Sequence, residues 1–151
     1  MSIRTNYEKW YEGENYYWGL EPGEFLDELI RLCPPSPNRT VLDIGCGEGK
    51  DAVYMAKNGY CFSAFDLTDN GIRKTLALAE KNKVKINAYV DDINTFDIKD
   101  QFDIIYSTGT VQYLFEQNKK ISFEDEVIFE DRSGGISHYH CMDTIICRKM
   151  V

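Results

Sequence analysis

Short apolar runs of strand length alternate along this chain with segments in which apolar residues recur every three or four positions. A helix is predicted at residues 24–32, where Phe25, Leu26, Leu29 and Ile30 recur at helical spacing that continues to Cys33. Three prolines at 34, 35 and 37 end that helix, because proline cannot continue it. Strands that alternate with helices predict a parallel sheet covered by helices.

The predicted elements continue in this order as far as residue 107. Strands are predicted at residues 39–44, 60–66, 85–90 and 100–107, and helices at 50–58 and 69–82. The second of these helices is expected to bury Ile72, Leu76 and Ala79. The predicted fold class is α/β with a Rossmann-like sheet.

A glycine-rich segment, Asp43-Ile-Gly-Cys-Gly-Glu-Gly49, joins the first strand to the helix that follows it. A strand, glycine loop and helix form the nucleotide-binding unit of α/β folds. A dinucleotide fingerprint would place its third glycine at position 50, which is Lys50. Asp43 would repel a pyrophosphate and attract an ammonium group such as that of S-adenosylmethionine (SAM). The spacing therefore disfavours an NAD-dependent oxidoreductase.

Three further segments follow the glycine loop in order: Asp66, Asp92-Ile93 and Phe102-Asp-Ile-Ile-Tyr106. Together the four segments resemble the motifs of class I SAM-dependent methyltransferases. The chain is most similar to the small-molecule branch of tellurite-resistance and thiopurine-like enzymes, over about residues 7–115.

The resemblance implies a cofactor site for SAM, with S-adenosylhomocysteine (SAH) as the product. Asp66 lies about 20 residues past the glycine loop and is predicted to bind the ribose hydroxyls, with Leu67 beside it. A helix N-cap is the alternative role for Asp66, although Thr68 or Asp69 suits that role better. Asp92 and Ile93 are expected at adenine, and an acidic loop is the alternative. The predicted cofactor-binding set also contains Asp43, Gly45, Cys46, Gly47, Gly49, Ser107, Thr108 and Gly109.

The chain offers few other candidates for chemistry. Gln112 is a candidate for facing the acceptor, and no catalytic residue is evident. Asp103 begins a strand and is expected to be structural. His138, His140 and Cys141 are interpreted as polar positions of a hairpin rather than as metal ligands, because no second cluster completes them.

Residues 1–19 are dense in aromatic side chains. One interpretation is a helix or arm that places aromatic rings on the domain surface. The other is a lid over the cofactor, as the resemblance implies. Tyr16, Tyr17 and Trp18 are the lid candidates, and Tyr16 and Trp18 are predicted to contact the cofactor.

The resemblance weakens after the fourth strand. A helix over residues 111–119 is followed by strands at 121–129 and 136–149, with a hairpin turn at 131–135. Against the family plan, a fifth strand and its flanking helix are missing, a gap of about 40 residues. The fourth strand would then expose an edge, which either the hairpin covers, running antiparallel, or another chain covers. We predict a homodimer, with exchange of C-terminal hairpins as one form of it.

Chain length, net charge and cysteine spacing further restrict the number of domains, the binding partners and the cellular location. The 151 residues predict one domain, with an N-terminal lid and helix (1–37), a SAM-binding core (38–115) and a C-terminal hairpin (116–151). A net charge of −8 disfavours nucleic-acid binding. The five cysteines lack paired spacing and predict reduced thiols. With no apolar run long enough for a membrane helix and no signal-peptide core, the expected location is the cytoplasm.

Two functions remain open from the sequence. The first is SAM-dependent methyl transfer to a small-molecule acceptor. The second is a SAM-binding sensor or partner subunit that has lost methyltransferase activity together with the missing segment. The N-terminal segment favours the enzyme, since it resembles an acceptor lid.

Overall fold

The computed structural model describes residues 2–111 and 113, together with the backbone of two strands at 127–130 and 144–148. Within these residues, six strands form one sheet in the order β3-β2-β1-β4-β6-β5. The strands are β1 (Thr40–Ile44), β2 (Cys61–Asp66), β3 (Ile86–Val90), β4 (Ile104–Thr108), β5 (Val127–Glu130) and β6 (Thr144–Arg148). The helices are α1 (Ile3–Trp10), α2 (Phe25–Leu32), α3 (Lys50–Lys57) and α4 (Asp69–Lys81).

The first four strands are parallel to one another, as the alternating pattern predicts. β1 lies between β2 and β4, and Asp43 pairs in register with Ala64 on one side and Tyr106 on the other. β3 extends the sheet beside β2. Since parallel strands end at the same edge, the loops after all four strands lie together there. This arrangement confirms the α/β, Rossmann-like fold class.

The hydrophobic core joins α2, α3 and α4 to the parallel strands. Val41 and Leu42 of β1 are fully buried, as is Leu26 of α2. Tyr106 of β4 contacts the rings of Phe25 and Phe62 edge-on or at a tilt, with centroids 5.6 and 6.1 Å away. The core therefore sits beneath the edge where the four loops meet.

The buried face of α4 differs from the prediction at one position. Ile72 and Ala79 are buried as expected, but Leu76 is 44% exposed. Thr75 is fully buried in its place, because its hydroxyl donates to the backbone oxygen of Gly47 (3.2 Å). The polar contact with the glycine loop rotates the helix away from the face that apolar spacing alone indicates.

The far edge of β4 is covered by the same chain. β6 pairs with β4 antiparallel, from Ile104 opposite Arg148 to Thr108 opposite Thr144, and β5 pairs with β6. Of the two arrangements that the sequence left open, the structure has the one in which the C-terminal strands move in beside β4. The predicted turn at 131–135, the histidines at 138 and 140, Cys141, Gln112 and most of the predicted helix 111–119 lie outside the described residues.

Asp103 has the structural role expected for it. Its Oδ2 accepts hydrogen bonds from the backbone nitrogen of Thr40 (2.8 Å) and from the Thr40 hydroxyl (3.1 Å). These contacts join the starts of β1 and β4. Across the part of the chain that the structure describes, no helix is long and apolar enough to cross a membrane.

Candidate functional site

A cavity of about 730 Å³ opens at the carboxyl edge of the parallel strands. The loops after β1, β2, β3 and β4 form its floor, and the N-terminal segment forms a wall. Most of the predicted cofactor residues line it, namely Asp43, Gly45, Cys46, Gly47, Asp66, Leu67, Asp92, Ile93, Thr108, Gly109 and Trp18. This is the position at which ligands bind in open α/β sheets.

The glycine loop needs its glycines for two different reasons. Gly45 has φ +78°, and a Cβ there would lie 2.0 Å from the Thr110 hydroxyl, so no side chain fits beside the cavity. Gly49 has φ +86° and is the N-cap residue of α3, where a Cβ would lie 2.6 Å from the Thr75 hydroxyl. Gly49 is not part of the cavity lining; its place is in the packing of the loop against α4.

Asp43 lies at the base of the cavity. It is only 3% exposed, and its Oδ2 accepts a hydrogen bond from the Tyr106 hydroxyl (3.1 Å). Burial raises the pKa of Asp43 well above its ordinary value, and the nearby Asp51 carboxylate raises it further. A cation bound in the cavity would favour the ionised form of this group.

Asp66 holds the glycine loop in place. Its Oδ2 accepts from the backbone nitrogen of Gly47 (2.9 Å), and its Oδ1 accepts from the backbone nitrogen (2.9 Å) and hydroxyl (2.6 Å) of Thr68. A carboxylate has about four acceptor positions, so these three donors occupy most of them. Burial raises the pKa of Asp66 despite these hydrogen bonds. Thr68 is the N-cap residue of α4, with its hydroxyl accepting from the backbone nitrogen of Gly71.

The loop after β3 carries an acidic residue and an unsatisfied amide. Asp92 Oδ1 accepts from the backbone nitrogen (2.8 Å) and side-chain nitrogen (2.9 Å) of Asn94. Asn94 Oδ1 and Thr108 Oγ1 are both buried without a hydrogen-bond partner among the described residues. Both residues line the cavity. Because buried polar atoms are normally paired, these two atoms indicate a ligand that completes the site.

Besides Gly49, two predicted cofactor residues, Ser107 and Tyr16, lie away from the cavity lining. The Ser107 hydroxyl is turned to the backbone oxygen of Ile44 (2.8 Å), so it joins β4 to β1. The Tyr16 ring packs under the Lys74 ammonium group, 5.2 Å from the ring centroid. Tyr17, the third lid candidate, stacks on Trp10 and is 51% exposed. Trp18 does line the cavity, and its Nε1 donates to the Tyr11 hydroxyl (3.1 Å).

The N-terminal segment is fixed over the cavity by polar contacts at the start of α4. Glu8 accepts from the backbone nitrogens of Asp69 (2.6 Å) and Asn70 (3.0 Å), two groups that a helix leaves unpaired in its first turn. Arg4 forms an ion pair with the Asp69 carboxylate (2.7 Å). The segment therefore forms a wall of the cavity rather than a loose arm.

Sequence reasoning missed three tyrosines of the cavity lining: Tyr7 and Tyr11 of the N-terminal segment, and Tyr113 after β4. Tyr7 and Tyr11 are four residues apart, a spacing that places both on one face at the end of α1. This four-residue spacing is the feature of the sequence that could have identified Tyr7 and Tyr11.

Acidic groups dominate the lining. Six acidic side chains and two basic ones, Arg4 and Lys50, face the cavity; the acidic ones are Asp43, Glu48, Asp51, Asp66, Asp91 and Asp92. The two basic groups are themselves paired, Lys50 with Asp51 (2.8 Å) and Arg4 with Asp69. Of the acidic groups, Glu48 is also paired, with Lys74 behind the lining (2.7 Å), whereas no ion pair involves Asp91 or Asp92 among the described residues. The cavity favours a cationic ligand over an anionic one.

The parallel sheet, the glycine loop after β1 and the acidic residues after β2 and β3 define the architecture of class I methyltransferases. Solved structures share this fold. TehB from Haemophilus influenzae superposes with a TM-score of 0.60 at 14% identity, over 89% of this chain and 64% of that one. An rRNA methylase from Streptococcus thermophilus gives 0.58 at 11% identity, over 83% of this chain and 93% of that one.

The family model for the tellurite resistance protein TehB matches residues 21–135. The chain belongs to this family, which confirms the branch that the sequence motifs indicate. A TehB from Haemophilus influenzae strain 10810, described as a probable SAM-dependent methyltransferase, is 34% identical over 104 residues, or 69% of this chain. The chain spans 35% of that relative's length and 26% of a second TehB from the same species.

Proposed function

We propose that this protein is a SAM-dependent methyltransferase that acts on a small-molecule acceptor and releases SAH. The observation that carries the proposal is the cavity at the carboxyl ends of the four parallel strands. Its lining combines the backbone of the glycine loop with acidic side chains, which would repel a pyrophosphate. Membership of the TehB family supports it, since the TehB relatives are described as probable SAM-dependent methyltransferases.

The residues present fit this cofactor. Asp43 and the other acidic groups suit its ammonium and sulfonium charges. Asn94 Oδ1 and Thr108 Oγ1 offer hydrogen-bond acceptors that lack a partner among the described residues. Asp66 would have about one acceptor position left for a ribose hydroxyl, since three donors of the protein already occupy it. Thr108, Gly109 and Trp18, three of the predicted cofactor contacts, also line the cavity.

The cofactor supplies an electrophilic methyl group on a sulfonium sulfur, so the bond-breaking chemistry belongs to it. The protein has to hold the acceptor in line with that methyl group and to exclude water. The rings of Tyr11 and Trp18 serve the second purpose, because they cover the glycine loop and are joined by a hydrogen bond. The carboxylates around the cavity stabilise positive charge throughout transfer.

Calorimetric titration with SAM, SAH and NAD tests the cofactor. We expect SAM and SAH to bind and NAD not to bind. Asp92→Asn should weaken SAM binding by about tenfold, as expected for a lost interaction with a charged group. The matched control is Asp97→Asn, an exposed position outside the lining, which should leave the affinity unchanged. A folded sample that binds neither SAM nor SAH would overturn the proposal.

The homodimer predicted from the sequence stays a proposal. β6 covers β4 within one chain in this structure, and a dimer with exchanged hairpins would form the same pairing between two chains. Size-exclusion chromatography with light scattering separates the two, since one chain has a mass of 17.5 kDa. A cytoplasmic location is likewise proposed, supported by the free thiols of Cys46 and Cys61.

A further inference from the structure

Trp18 is attached to the glycine loop through both its backbone and its side chain. Its backbone nitrogen donates to Glu48 Oε2 (3.3 Å). Its indole Nε1 donates to the Tyr11 hydroxyl (3.1 Å), and that hydroxyl lies 3.1 Å from the point where a Cβ of Gly47 would be. Two consecutive residues of the loop therefore meet the pair of rings that covers it.

Lys74 lies behind this contact. It belongs to α4 and is not among the described residues that line the cavity. Its Nζ donates to Glu48 Oε1 (2.7 Å) and to the backbone oxygen of Asn15. The same Nζ lies 5.2 Å from the centroid of the Tyr16 ring, within the range of a cation–π contact. One buried cation therefore joins the glycine loop to two residues of the N-terminal segment.

Burial of apolar surface does little to hold this part of the N-terminal segment. Of residues 12–20, all but Tyr16 are exposed, including Trp18 at 40%. Polar contacts have to fix the segment instead, and those made by Asn15, by the Tyr16 ring and by the Trp18 backbone all lead to the Glu48–Lys74 pair. The position of Trp18 therefore depends on this pair.

The chemistry of the pair suits it to fixing a position. Glu48 accepts a hydrogen bond on each of its two oxygens, whereas a glutamine has one accepting oxygen and would turn its amino group toward the other donor. Buried ion pairs are not efficient stabilisers, since apolar residues of similar volume often stabilise a fold as well or better. Such a pair does fix distance and direction, which apolar contacts specify less strictly.

We infer that Lys74 is a positioning residue for the proposed methyl transfer. It acts through Glu48, which holds Trp18 and Tyr11 in place over the glycine loop, and the assignment rests on the proposed function of that site. With the pair intact, this side of the cavity stays closed and a bound cofactor leaves slowly. Without the pair, the backbone groups of Asn15 and Trp18 bind water, the segment moves away from the loop and the cofactor leaves faster.

The first experiment measures the exposure of Trp18 in the ligand-free protein. The substitution Trp10→Phe leaves Trp18 as the one tryptophan of the chain, so acrylamide quenching of its fluorescence reports its exposure. In this parent protein the double variant Glu48→Met, Lys74→Met exchanges the ion pair for two unbranched apolar side chains. We expect the quenching constant to rise by at least about twofold, because the segment opens locally. The free energy of unfolding, measured in urea, should stay close to that of the parent.

The matched control is the double variant Glu28→Met, Arg31→Met in the same parent. It removes an exposed ion pair of α2 that is not part of the cavity lining, and it should leave the quenching constant unchanged. Glu48→Gln is the conservative variant. It keeps one accepting oxygen and should give an intermediate quenching constant.

The second experiment measures the dissociation of SAH from the same proteins by stopped-flow fluorescence. SAH should leave the Glu48→Met, Lys74→Met variant at least about tenfold faster than it leaves the control, as expected when hydrogen bonds to charged groups are lost. The Glu48→Gln variant should again lie between the two.

An unchanged quenching constant in the Glu48→Met, Lys74→Met variant would overturn the inference even if SAH dissociated faster, because Glu48 lines the cavity and would then act on the ligand directly. Quenching that rises only with a matching fall in the free energy of unfolding would also overturn it, since the pair would then serve stability alone. In both cases a parent protein that binds SAH keeps the proposed function. A folded parent that does not bind SAH removes the proposed function, and the positioning role with it.

Discussion

Glu48 and Lys74 form an ion pair in which both side chains are buried. The Lys74 Nζ lies 2.7 Å from Glu48 Oε1, and each side chain is only 3% exposed. Glu48 Oε2 also accepts from the backbone nitrogen of Trp18 (3.3 Å), and Lys74 donates to the backbone oxygen of Asn15. The pair therefore connects the glycine loop, α4 and the N-terminal segment at one point.

Lys74→Met should lower the free energy of unfolding by about 3–5 kcal/mol, because it leaves a buried carboxylate without its partner. Urea denaturation followed by circular dichroism measures this change. Lys81→Met, at an exposed position of the same helix, is the matched control and should have little effect. Adding Glu48→Met to the first variant should restore much of the stability, since the unpaired charge is then gone. Equal stability of Lys74→Met and the control would contradict a structural role for the pair.

Asp43 should make the ligand-free protein less stable as the pH rises. Burial raises its pKa well above the ordinary 3.8, so the folded chain holds a proton that the unfolded chain releases. This contribution is fully present below the ordinary pKa and is lost as the pH rises through the folded value. Asp43→Asn should remove this part of the dependence, and the variant should gain stability relative to the wild type with rising pH. Denaturation midpoints of both proteins across pH 4–8 provide the check, and parallel profiles would count against it.

Gly13 and Gly49 have similar φ angles, so alanine substitutions at the two positions separate the cost of a strained backbone from the cost of a steric clash. Gly13 has φ +78°, and an added Cβ would have no atom of the described residues within 4 Å, whereas Gly49 has φ +86° and its Cβ would lie 2.6–2.8 Å from Thr75 atoms. Gly13→Ala should cost about 1–2 kcal/mol, the price of the left-handed conformation alone. Gly49→Ala should cost at least about 2 kcal/mol more, because the methyl group also displaces Thr75. Thermal unfolding of both variants measures the difference, and equal losses would show that α4 yields freely at this contact.

Glu8→Ala should loosen the N-terminal segment without unfolding the sheet. It removes two hydrogen bonds to the first turn of α4, a loss of about 1 kcal/mol. The remaining Thr68 cap keeps α4 in place. Both tryptophans of the chain, Trp10 and Trp18, lie in this segment, so their fluorescence reports its position. In stopped-flow experiments SAH should dissociate faster from Glu8→Ala than from Glu14→Ala, an exposed control on the same segment.

Local patterns were enough to predict the parallel strands, the glycine loop and the role of Asp103. The strands and the loop depend on residues close in sequence or on a regular period. The position of Asp103 at the start of a strand indicated a structural role, although its partner Thr40 is 63 residues away. The position of Tyr16 was not predictable in this way, because its ring packs against the ammonium group of Lys74, which lies in α4. The same holds for Leu76, which loses its buried position because Thr75 bonds to Gly47. The hydrogen bond that Asp66 accepts from Gly47 was not predictable either, because Gly47 comes close to Asp66 only when β1 and β2 pair.

The strand order has a consequence for how the chain is made. Among the residues that the structure describes, those that line the cavity lie at or before position 113, whereas β6, which flanks β4, consists of residues 144–148. During synthesis this described part of the cavity lining can therefore form while one side of β4 still has unpaired backbone groups. An open strand edge recruits other extended chains, so this interval is the one in which a newly made molecule is most exposed to aggregation. A ligand that binds this early lining would stabilise the nascent protein before β6 is made.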